Sequence, residues 1–140
     1  IRNFMDQLND SSHIYVFLND RYMESEFCVY ELAKIWDACD HNLKTLEGRL
    51  SIVMLEDADI FSIGTISYYV AYWKYRGDKN SHMVKKMGPA VSRSLSDYVT
   101  GFRKFCYDIG TILEHYSDVS QMNWDEFLID FEQRLQSSQS

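Results

Sequence analysis

At 140 residues the chain is the size of one domain, and with 46% hydrophobic and 15% aromatic residues it can bury a sizeable core. Its net charge of −7 argues against a nucleic-acid partner, whose footprint would be a basic patch. No apolar run approaches the roughly 18 residues of a membrane-spanning helix and no signal peptide is evident, so no membrane partner is expected.

Residues 1–8 read as a helix, with Ile1, Phe4, Met5 and Leu8 on one face. A helix that begins without a cap leads us to expect a missing upstream segment. Asn9 to Ser12 is a turn cluster, and His13-Ile14-Tyr15-Val16-Phe17-Leu18 is a β-favouring run of the kind buried on both faces. A helix is expected over 23–40, with Ser25 or Asp20 as cap and Cys28, Leu32, Ile35 and Cys39 recurring on one face. Glu31 lies beside that stripe and shares a face with Phe27, one turn away. A polar connection over 40–49 leads to a second strand over 50–55. Strand, helix and strand in this order make a βαβ unit with parallel strands.

Glu56, Asp57 and Asp59 precede a helix expected over 62–76, where Ile63, Ile66, Val70 and Trp73 make the stripe and Gly77-Asp78 the break. Loop carboxylates at that place complement a helix N-terminus more readily than they hold a metal ion. A long helix is expected over 90–117, after Pro89. The last helix carries the clearest start: Asn123 as cap, Glu126 as its capping-box partner and Met122 as a staple onto Phe127. Its expected core face is Phe127, Leu128, Phe131 and Leu135, and residues 137–140 are expected to form a disordered tail. The three cysteines lack CxxC spacing and the four histidines lack ligand spacing, so a reducing, cytoplasmic setting without a metal is expected. Two strands are too few for a stable parallel sheet, so either a third strand is hidden in the helical half or the remaining strands precede Ile1, and the second is the expectation we favour.

Ile14 to Leu18, then Tyr22, Ser25, Phe27-Cys28 and Glu31-Leu32, resemble the strand and following helix of Toll/interleukin-1 receptor (TIR) domains. That family has a tyrosine, a serine, Trp-Cys and Glu-Leu at this spacing. Tyr69-Val70-Ala71-Tyr72-Trp73 adds a likeness to bacterial TIR domains. The resemblance implies an α/β, flavodoxin-like fold with a parallel sheet, and residues 1–136 as a partial TIR domain from its third strand onward. It further implies an NAD+ glycohydrolase or cyclase, activated by TIR–TIR self-association in a bacterial immune or virulence setting. Glu31 falls at the family's catalytic glutamate, with Phe27 and Ser25 as substrate-binding candidates, NAD+ as substrate and no cofactor. Phe27 stands where the family often has Trp. The alternative is a non-catalytic TIR–TIR interaction module.

The residues leave several roles open. One carboxylate suffices for NAD+ because nicotinamide departs neutral, without the general acid a sugar oxygen needs. Against this, Glu31 reads equally as a solvated helix glutamate, Ser25 as a cap, Phe27 as a residue closing the core, and Cys28 as buried filler.

Overall fold

The computed structural model describes residues 13–55, 59–119 and 121–139. The helix expected over 1–8, the turn over 9–12, and Glu56 and Asp57 lie outside the described residues. In chain order the elements are β1 (Ile14–Leu18), α1 (Asp20–Glu24), α2 (Glu26–Ala38), α3 (Leu43–Arg49), β2 (Leu50–Met54), α4 (Ile63–Met87), α5 (Arg93–Asp118) and α6 (Trp124–Gln139). They form two compact units, Ile1–Ile60 with Asp118–Ser140, and Phe61–Ser117. Among the described residues no helix is long and apolar enough to cross a membrane.

The first unit is α/β. β1 and β2 pair in parallel from Ile14↔Leu50 to Leu18↔Met54, as the βαβ reading requires. The other edge of β2 is met once, by Met122. Met54 N–H donates to the Met122 carbonyl at 2.8 Å, and Met122 N–H donates to the Ile52 carbonyl at 3.0 Å. Val16 and Leu18 are buried while Tyr15 and Phe17 are only half-buried, so β1 is sealed on one face rather than both. The half-buried face is aromatic. Phe127 of α6 meets Tyr15 and Phe17 edge-on at 4.9 and 5.0 Å between ring centres.

Several helical expectations are corrected. The single helix over 23–40 is two, because Ser25 leaves helical geometry (φ −87°, ψ 116°), and Asn19 rather than Asp20 caps the first. The polar connection contains α3, whose N-terminus is capped by Asn42 accepting from Thr45 N–H at 3.0 Å. The capping box of α6 is present, with Asn123 and Glu126 bonding each other's backbone N–H at 2.8 and 3.2 Å. The core face expected for that helix is not buried: Leu128, Phe131 and Leu135 are about half exposed. The helix itself continues to Gln139, through most of the expected tail.

The second unit pairs α4 with α5. α4 runs through Gly77-Asp78 instead of breaking there. Gly77 is buried, and a Cβ on it would lie 3.2 Å from Cys106 Sγ and 3.4 Å from Arg103 Cα. Glycine therefore sits where the two helices approach closely, and the next residue ties them. Asp78 accepts from Arg103 Nε and from the Tyr107 hydroxyl, both at 2.9 Å. Trp73, fully buried, meets Phe102 edge-on at 5.9 Å. Ile63, expected on the stripe, is 86% exposed. α4 stops at Gly88, whose φ of +58° suits glycine at a helix end.

α2 ends in a Schellman motif built without glycine. Asp40 N–H bonds the Asp37 carbonyl, and His41 N–H bonds the Trp36 carbonyl at 3.1 Å, with Asp40 at φ +53°. A side chain in that left-handed region costs roughly 1 kcal/mol. Asp40→Gly is expected to raise stability by about 0.5 kcal/mol, the relief being partly offset by the freer unfolded chain. A higher denaturant midpoint at unchanged slope checks it.

A second prediction concerns β1. The Tyr15 hydroxyl donates to Asp130 of α6 at 2.6 Å, and Arg134 Nε donates to the same carboxylate oxygen at 2.8 Å. Burial, then the bond to Asp130, pushes the Tyr15 phenol up to about 12 from its ordinary 10.0. A pKa raised on folding stabilises fully below the unfolded value and is lost as pH rises through the folded one. Stability should therefore fall from pH 10 towards about 12. Tyr15→Phe should flatten that slope in alkaline denaturation curves.

Candidate functional site

The corner that carries Glu31 is built by two helix starts in quick succession. Asn19 turns the chain out of β1 and accepts from Tyr22 N–H at 2.9 Å, starting α1. Ser25 then does two jobs. Its N–H closes α1 onto the Tyr22 carbonyl at 3.2 Å, and its hydroxyl accepts from Cys28 N–H at 3.3 Å to start α2. Ser25 is thus a cap with its hydroxyl already engaged, and the structure does not add it to a ligand-facing set.

The break at Ser25 decides which side chains can meet. Tyr22, Ser25, Cys28 and Glu31 recur at every third position. In one unbroken helix, at about 100° per residue, Tyr22 and Glu31 would point to opposite sides. With the chain turned at Ser25, Tyr22 instead feels both Glu31 and Cys28. Burial first, then those two acidic groups, push its phenol far above its ordinary range. The Tyr22 hydroxyl oxygen is itself buried and makes no hydrogen bond among the described residues. The phenol is therefore a neutral O–H donor with nothing to donate to.

Glu31 is half-buried in the second turn of α2, and burial pushes its carboxyl above the ordinary value of 4.5. It makes no hydrogen bond or ion pair to a described residue. Phe27, one turn before it, is 48% exposed and so does not close the core at the helix start. Cys28 is half-buried, less enclosed than the filler role implies, whereas Cys39 at the far end of the stripe is 1% exposed. Of the three residues singled out by sequence, Glu31 and Phe27 share a helix face and Ser25 holds the turn before them. Sequence reasoning missed Tyr22 as a member of the site. Tyr22 stood in the strand-helix motif, but nothing in the apolar pattern marked its hydroxyl as buried.

The remaining candidates supply no second site. Among the described residues no group of three or more His, Cys, Asp or Glu side chains could hold a metal ion. Asp59, the described member of the acidic loop, is exposed. An open cavity of about 580 Å³ runs along α4, lined by Tyr72, Tyr75, Arg76, Lys79, Asn80 and Met83. It contains none of the residues singled out by the strand-helix motif. Arg76 lies over the Tyr72 ring and donates to its hydroxyl at 2.8 Å, so these two side chains are already occupied with each other. No family model, no curated protein and no solved structure matches this chain.

Proposed function

We propose that this chain belongs to a TIR-like, flavodoxin-like domain that cleaves the nicotinamide–ribose bond of NAD+, with Glu31 as the catalytic carboxylate. The observation that carries the reading is the state of Glu31: a carboxylate partly withdrawn from water, with no hydrogen bond or ion pair to a described residue. A carboxylate in that condition is poised for a positive charge that is not yet there. As nicotinamide departs neutral, positive charge grows on the ribose, and a preplaced carboxylate stabilises it without reorganising. Water or the adenine ring then completes the substitution from the other face. The half-exposed Phe27 ring beside Glu31 offers an apolar surface to the nicotinamide or the ribose.

The test is nicotinamide release from NAD+ by the full-length protein at high concentration. Glu31→Gln should lower the rate by about a hundredfold or more, the usual cost of removing one transition-state charge partner. Equal backgrounds for wild type and variant would sink the hydrolase reading. The same substitution has an opposite effect on folding. A carboxyl raised by burial binds its proton more tightly in the folded state, so its ionisation opposes folding above pH 4.5. At pH 7 Glu31→Gln should leave the thermal midpoint unchanged or higher. In wild type, the acid limb of kcat/KM should lie above pH 4.5, because the carboxylate form is the active one.

One observation favours the second reading, a self-associating interaction module without turnover. α6 presents Trp124, Leu128, Ile129, Phe131 and Leu135 about half exposed or more, an unusual concentration of apolar side chains for a solvent-facing helix. Sedimentation should then detect concentration-dependent association that survives Glu31→Gln and weakens with Ile129→Lys. Association that Ile129→Lys leaves untouched would remove α6 from the interface.

A further inference from the structure

Folded proteins keep few buried hydroxyls without a partner, and those they keep tend to have a task. The Tyr22 hydroxyl is such a group, and it belongs to the same corner as Glu31. Its position is not adjustable from the backbone. Tyr22 N–H is held by Asn19, its carbonyl by Ser25 N–H, and the next residue, Met23, is fully buried. Glu31 is half-buried, and its side chain can turn about three torsions. We propose that Tyr22 is a positioning residue for Glu31, its buried hydroxyl being the donor onto which the ionised Glu31 carboxylate turns. The charged carboxylate is a stronger acceptor than the Cys28 thiol, the other acidic group that Tyr22 feels. One carboxylate oxygen is then held by Tyr22 and the other is left for the ribose. That last role rests on the hydrolase reading, whereas the contact between Tyr22 and Glu31 does not.

Among the described residues, the titratable groups acting on one another here are Tyr22 of α1 and Cys28 and Glu31 of α2. The experiment follows the Glu31 side-chain carboxyl by carbon-13 NMR across pH, without NAD+, in wild type, Tyr22→Phe and Cys28→Ala. Loss of the donor should make Glu31 titrate at a pH higher by about 0.5 or more in Tyr22→Phe, and leave it unmoved in Cys28→Ala. In wild type the Tyr22 ring resonances should inflect at the pH where Glu31 titrates, a reading that needs no variant to fold. At pH 7 Tyr22→Phe should lower the thermal midpoint, because the ionised Glu31 carboxylate loses its donor, and below the Glu31 titration the variant should match or exceed wild type. With NAD+, kcat should fall about tenfold at little-changed KM, as expected when a catalytic group loses its orientation. An unshifted Glu31 titration in Tyr22→Phe, or Tyr22 resonances blind to it in wild type, would overturn the proposal. If wild type releases no nicotinamide, the hydrolase reading fails, and the carboxyl titration still decides whether Tyr22 holds Glu31.

Discussion

The parallel pairing of β1 with β2 is the constraint on which the first unit depends. Parallel neighbours cannot be joined by a tight turn, so the chain between Leu18 and Leu50 must travel back along the sheet. α1, α2 and α3 are the pieces of that return, and each begins with a polar side chain capping its own first turn: Asn19, Ser25 and Asn42. Three caps in one crossover mean that the route is specified by local hydrogen bonds as much as by burial. The same pairing fixes which side of β1 faces α6. Tyr15 and Phe17 both point to the side where Phe127 stands.

Within the crossover, the cap at Ser25 has the largest consequence. A helix running straight through this stretch would satisfy the apolar spacing of Cys28, Leu32, Ile35 and Cys39 just as well. It would also send Tyr22 and Glu31 to opposite sides. By ending one helix and starting the next, Ser25 bonds to both Tyr22 and Cys28, and across that break Tyr22 feels the charge of Glu31. That arrangement is local in sequence, so it needs no distant strand or loop to form.

Much of this architecture was legible in the sequence, and the failures outside the crossover share a cause, whereas the break at Ser25 and the helix α3 went unread although their caps are local. Both strands, their parallel relation and the Asn123–Glu126 capping box follow from residue patterns that act over a few positions. What could not be read outside the crossover was any feature whose meaning depends on a distant partner. Gly77 looks like a helix breaker until Cys106 is seen where its Cβ would press. Leu128, Phe131 and Leu135 look like a core face because helical spacing reports a stripe and not what covers it. β1 looks sealed on both sides because aromatic residues serve a half-covered face as readily as a buried one. The site divides in the same way. Glu31, Phe27 and the capping role of Ser25 were readable as a motif, whereas the buried Tyr22 hydroxyl depends on a helix break that the apolar pattern does not mark.

Two carboxylates of the first unit make the case for treating the Glu31 corner as more than a helix surface. Both are partly buried, and burial pushes each upward. At Asp130 the opposing effects win: hydrogen bonds from Tyr15 and Arg134, with the Arg134 charge, hold the carboxyl below its ordinary value. At Glu31 burial prevails, and the neighbouring tyrosine, which could donate as Tyr15 does, is left with an empty hydroxyl. The same pair of residue types is therefore closed in one place and open in the other. A closed pair ties a helix to a sheet. An open one opposes folding slightly at neutral pH and persists only where the surrounding caps and packing fix the backbone around it. Proteins concentrate such locally unfavourable arrangements at the places where they act on something else. Tyr15–Asp130 thus ties α6 to β1, whereas the Tyr22 hydroxyl is left open beside Glu31.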